Sequence, residues 1–299
     1  MAKSKQRKFY VVSIIVSFIL SVLLSIGGYF VGADMGIFNK DTIYKSMSAA
    51  GYYNGIYEDV VSTSKQLGRP MMLHAEVFEN VFYYNEVKDD IQNNLEAQLA
   101  GTMYTPDTSQ IRERLNSNIE DYARKNNIEI GTQQQTAIDG FLTQIEDNYK
   151  SSLGITFINY YVSMRKMFDN IYFKVLAAIL VLIMIAVFII IKDHRYVHRA
   201  IRYIIYSTLA AAYMTGIIPM YLYIKGIYRR LAISPAYYYN MLIKTADKSL
   251  LMFVYISIFF LVLSAGLIAL TIILKNNLKK KASHSHTHHS HHSHHEAEE

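Results

Sequence analysis

Tyr172–Ile191 reads YFKVLAAILVLIMIAVFIII, and beyond Lys174 it holds no ionisable side chain. At about 1.5 Å of rise per residue, roughly 20 apolar residues cross the ~30 Å of hydrocarbon in a bilayer. Hydrocarbon offers the backbone no water, so such a segment must be a helix that satisfies its own N–H and C=O groups. Three further stretches share this character, Phe9 to Val31, Ile201 to Ile224 and Leu250 to Leu274, none with a charge in its middle. The fold class that follows is all-α: a four-helix transmembrane bundle, with an all-α extracellular domain inserted between spans 1 and 2.

This reading divides the chain into a cytoplasmic N-terminus (1–8), span 1 (9–32), a helical extracellular domain (33–171), span 2 (172–192) and a cytoplasmic turn (193–200). Span 3 (201–224), a short extracellular loop (225–249), span 4 (250–274) and a basic, His-rich cytoplasmic tail (275–299) complete it. Orientation comes from lysine and arginine, which collect on the cytoplasmic side of membrane proteins. Lys3, Lys5, Arg7 and Lys8, then Lys192, Arg195, Arg199 and Arg202, then Lys275, Lys279, Lys280 and Lys281 mark three cytoplasmic segments. Residues 33–171 instead carry 19 acidic against 12 basic residues, which suits translocation. The loop between spans 3 and 4 strains the scheme, since Lys225, Arg229, Arg230, Lys244 and Lys248 face only Asp247 there. A basic outer loop could rest on the acidic domain or on anionic headgroups; alternatively span 3, with its tyrosines, Gly216 and Pro219, is partly re-entrant.

The composition excludes several classes. With 299 residues, 52% hydrophobic and no cysteine, the chain has neither disulfides nor a thiolate site, and fits a bacterial cell surface without disulfide usage. The net charge of +6 sits beside the spans and is no nucleic-acid signal. Catalytic signatures are missing: there is no HExxH, GxSxG, Walker loop or GxGxxG. Adjacent acidic pairs such as Asp89-Asp90, Glu120-Asp121 and Glu146-Asp147 diverge by about 100° on a helix and read as solvated faces. The spans lack the buried ionisable residues of an ion path.

Candidate site residues are few. Ser13, Ser17, Ser21 and Ser25 recur every four residues in span 1, a small-residue stripe suited to helix packing, and they favour a retained span over a signal peptide cleaved after Ala33. Gly216 and Pro219 form a candidate hinge in span 3. The tail offers His284, His286, His288, His289, His291, His292, His294 and His295, imidazoles able to bind Zn, Ni, Cu or Co, although no cofactor is required. His194 and His198, at i and i+4, share a helix face. Tyr237-Tyr238-Tyr239 reads as part of an interfacial aromatic belt or as a partner contact beside Pro235.

Within the extracellular domain the pattern predicts helices over 41–67, from about Leu73 to Gly101, from a Thr105 cap with Pro106 in the first turn to Asn126, and from a Thr132/Gln135 capping box onward. The last presents Ile138, Phe141, Leu142, Ile145 and Tyr149, breaks near Gly154, and continues through Tyr160 and Met164 into span 2.

These features describe a multi-pass, non-enzymatic protein of the plasma membrane with both termini cytoplasmic. Its ectodomain binds a protein or wall partner and relays its state across the bilayer. The order of spans and outer domain also resembles, in topology and in no sequence motif, the mechanotransmission permeases that pair with an ABC ATPase. The resemblance implies a permease-like subunit as the alternative. A metal-handling membrane protein using the His-rich tail is the third reading.

Overall fold

The computed structural model describes residues 2–155, 158–194 and 197–290, with side chains over 11–155, 158–194 and 197–276. They are all-helical, without a strand. In chain order the helices are α1 (Ala2–Met35), α2 (Lys40–Ala49), α3 (Tyr52–Gly68), α4 (Tyr84–Ala100), α5 (Ser109–Lys125), α6 (Thr132–Ser152), α7 (Ile158–Lys192), α8 (Val197–Lys225) and α9 (Ala236–Ser290). Four of them, α1, α7, α8 and α9, are long and apolar enough to cross a membrane.

Two compact units emerge. The first takes in the chain up to Thr42, Asn170–Arg230 and the residues from Thr245 on; the second takes in Ile43–Asp169 and Leu231–Lys244. The division falls inside α7, after Asp169, and inside α9, after Lys244, so each of these helices is shared.

In the first unit, side-chain contacts fix the direction of every long helix. Ser17 meets Ser207 and Tyr29 meets the carbonyl of Met214, so α1 and α8 run parallel. Gly28 lies against Phe260, Gly32 against Phe253 and Gly36 against Ser249, which makes α9 antiparallel to α1. Ser13 approaches Asp193, Gly27 faces Ile179 and Tyr172 bonds Asp34, so α7 also runs antiparallel to α1. The alternation is that of four successive crossings. Helix α8 is the least apolar of the four for a packing reason: 44% of its most apolar window is buried, against 17–28% for the others, so less of it needs to face hydrocarbon. It is continuous through Gly216 and Pro219 rather than broken into a re-entrant pair.

The second unit is built on the apolar faces read from the sequence. Ile111, Leu115 and Ile119 of α5 and Ile138, Phe141, Leu142, Ile145 and Tyr149 of α6 are buried with Val87, Ile91 and Leu95 of α4 and Tyr52, Ile56 and Val60 of α3. Local departures have local causes. The predicted 41–67 helix is two helices, because Gly51 adopts a left-handed φ of 68° between them. No helix starts at Leu73. Val77, Phe78, Val81 and Phe82 are all buried, but the chain makes a single 3₁₀ turn over Ala75–Phe78 and turns at Asn80, whose left-handed φ of 55° a right-handed helix cannot contain. Asn118 of α5 donates to the carbonyls of Val77 and Glu79 at 2.9 and 3.0 Å, satisfying acceptors that a helix would have paired. Helix α5 begins after Thr108 rather than at Thr105, with Asp107 accepting the Ser109 N–H at 3.0 Å. The Thr132/Gln135 capping box does not form: Gly131 occupies the cap position without a side-chain bond.

Candidate functional site

The loop expected between spans 3 and 4 is largely structured, and its Leu231–Lys244 part belongs to the second unit. Met241 is buried in that unit's core, with Tyr237, Tyr238 and Leu242 packed beside it. Tyr237 crosses the ring of Tyr52 edge-on, centroids 5.5 Å apart, and its hydroxyl donates to Asp59 at 2.6 Å. A Cβ on Gly55 would meet the Tyr237 ring at 2.2 Å, so glycine is what lets the ring lie against α3. The tyrosine triplet is therefore more than an interfacial belt. The contacts of Tyr237 are aromatic, apolar and phenol-to-carboxylate, and in the same loop Arg229 pairs with Asp247 at 2.9 Å.

A polar node lies deeper in the same unit. Asp90 accepts hydrogen bonds from Tyr104 and Tyr149, each at 2.5 Å. Burial, with the bond to Asp90, pushes the Tyr149 phenol well above its ordinary value, and Tyr104 is raised for the same causes. Beside this node Arg114 pairs with Glu86 at 2.6 Å and lies over the Tyr83 ring at 4.6 Å. Glu146 receives Arg112 at 2.9 Å and Thr108 at 3.0 Å. Asp90 and Glu146 are thus not members of solvated faces, as the adjacent-pair reading had them. Their partners lie 14 to 59 residues away in sequence, where no local pattern points. His74 packs on the ring of Tyr122.

In the first unit Ser13, Ser17, Ser21 and Ser25 are all buried. Ser17 and Ser207 hydroxyls lie 2.8 Å apart; Ser17 also reaches the Tyr203 carbonyl at 2.9 Å and Ser207 the Ser17 carbonyl at 2.8 Å. Ser21 bonds its own helix at Phe18. On the other side of α8, Ser264 donates to Thr208 at 2.7 Å and Ser257 to the Ala212 carbonyl at 2.8 Å. Gly216 faces Ser257 so closely that a Cβ would come within 2.3 Å of its hydroxyl, and Pro219 is buried one turn on.

Between α1, His194 just past the end of α7, and the start of α8, a cleft of about 700 Å³ is lined by Arg199, Arg202, His194, His198, Ser17 and Tyr206 together with Ile14, Phe18 and Ala210. His194 donates through Nδ1 to the Ile190 carbonyl at 2.9 Å and packs against Tyr203. Among the described residues no group of three or more His, Asp or Glu converges as a metal site. The histidines of the tail, His284 to His295, have side chains outside the described residues. No family model matches the chain, and no curated protein and no solved structure is similar to it.

Proposed function

We propose that the chain is a multi-pass, non-enzymatic protein of the cell envelope whose helical second unit binds a partner outside the plasma membrane and relays its state through the spans. One observation carries this reading: α7 and α9 are each shared between the units. Ile158 of α7 and Met241 of α9 are buried in the core of the second unit, and the same two helices continue as apolar spans. A change in that core reaches the membrane through two continuous rods. Catalysis has no comparable support, since the partly buried carboxylates Asp90 and Glu146 and the more exposed Glu86 are occupied by phenols, a threonine and guanidinium groups.

Hydrogen–deuterium exchange of the full chain in nanodiscs tests the relay. Gly55→Val, which must displace Tyr237, is expected to change exchange at residues 197–202 as well as around Tyr237. Exchange altered only within the second unit contradicts the relay. The permease-like alternative draws on the same shared helices. It predicts stoichiometric co-purification with an ATPase, which a self-contained receptor does not need.

A further inference from the structure

We infer that the cleft between α1, α7 and α8 is a binding site for an anionic phospholipid, whose phosphate lies between Arg199 and Arg202 and whose acyl chain runs along the α8–α9 groove. The cleft is lined by Arg199 and Arg202 and, among the described residues, by no acidic side chain, so a ligand meets net positive charge there. Arg202 forms no ion pair among the described residues. Guanidinium, hydroxyl and imidazole donors within one cleft match the oxygens of a phosphate ester, and basic pockets between spans are a recurrent means of holding such headgroups.

A second feature selects a lipid over a free anion. Arg202 and Tyr206 also line a separate groove of about 320 Å³, whose other walls are Ile205, Leu209, Ile268, Thr271 and Ile272. From Arg202 to Leu209 on α8, and from Ile272 to Ile268 on the antiparallel α9, this groove leads away from the charged end into the apolar part of the spans. On α9 it ends at Ile268, one turn from Ser264, which bonds Thr208 of α8. Charge at one end and an apolar channel continuing from the same two side chains are the shape of an amphiphile, and inorganic phosphate has nothing to place in the second part.

Native mass spectrometry of the purified full chain, titrated with dioleoyl phosphatidylglycerol, dioleoyl phosphatidylcholine and inorganic phosphate, tests this. Phosphatidylglycerol is expected to be retained over phosphatidylcholine, and Arg199→Gln with Arg202→Gln to weaken retention by about 25-fold, roughly fivefold per charge. The charge-matched pair Lys225→Gln with Arg230→Gln, at the opposite end of α8, should leave it unchanged. Leu209→Trp, which fills the groove and keeps both arginines, should lower lipid retention too, and decides the matter if the arginine variant does not fold. Equal loss in the control pair, retention unaffected by either the arginine or the Leu209 change, or phosphate binding as tightly as the lipid would each overturn the assignment.

Discussion

The ring of Tyr237 lies on Gly55, 182 residues earlier in the chain, at a distance that leaves no room for a Cβ. The contact ties the start of α9 to α3, and with Tyr237–Asp59 it helps hold Leu231–Lys244 in the second unit. Gly55→Ala is expected to destabilise that unit by about 1–3 kcal/mol through overpacking. In a double-mutant cycle, Tyr237→Ala should remove most of the penalty. Thermal unfolding by circular dichroism reads both; additive losses would mean that the two residues do not share the contact.

Ser17 and Ser207 join the parallel helices α1 and α8 through reciprocal hydrogen bonds. Hydroxyl bonds between helices in lipid contribute only about 0.6 kcal/mol each on average, so Ser17→Ala should have a small effect. Ser17→Leu inserts bulk where the helices touch and should separate them. Unfolding midpoints in detergent for the two variants check this, and equal midpoints would remove close approach as the reason for the small residue.

Gly216 is tested in the same way from the other side of α8. A methyl group there must displace Ser257, whose hydroxyl is committed to the Ala212 carbonyl. Gly216→Ala is expected to cost about 1–3 kcal/mol, and Ser257→Gly, which clears both the Oγ and the Cβ, to restore part of it. No rescue in the double variant would point to backbone flexibility, not contact, as the role of the glycine.

The Asp90 node gives a pH dependence. Tyr149 and Tyr104 both titrate above the ordinary phenol value of 10.0 in the folded chain. Above about pH 10 the unfolded chain therefore releases phenol protons that the folded chain keeps, so the unfolded state binds fewer protons and stability falls as pH rises. Tyr149→Phe should lose about 1.5–3 kcal/mol at neutral pH, the range for a hydrogen bond to a charged group, and should show a shallower alkaline decline. Melting curves across the alkaline range decide it; an unchanged slope would exclude Tyr149 as the titrating group.

What could be read from the sequence was whatever repeats at the period of a helix. The four apolar runs emerge as helices long and apolar enough to cross a membrane, and the Ile111-Leu115-Ile119 and Ile138-to-Tyr149 faces emerge as core, because apolar length and one-sided burial each leave a local trace. Residues 73–83 read as helix because Val77 and Val81 fall four residues apart, and the left-handed Asn80 that interrupts the run leaves no trace in that spacing. The seat of Tyr237 on Gly55, the two phenols on Asp90 and the cleft around Arg202 are contacts between distant parts of the chain. Periodicity carries no signal for such pairs: Gly55 falls inside one predicted helix, and Arg202 reads as one topology charge among several.

In the proposed function the second unit lies outside the membrane and the end of α9 inside. The chain has no cysteine, so single introduced cysteines report without background. Met103 is 99% exposed in the second unit, and Asn276 is exposed on α9 beyond its apolar stretch. In intact cells a membrane-impermeant maleimide should label Met103→Cys at once and Asn276→Cys only after the membrane is opened. Labelling of Asn276→Cys in intact cells, or protection of Met103→Cys until permeabilisation, would contradict it.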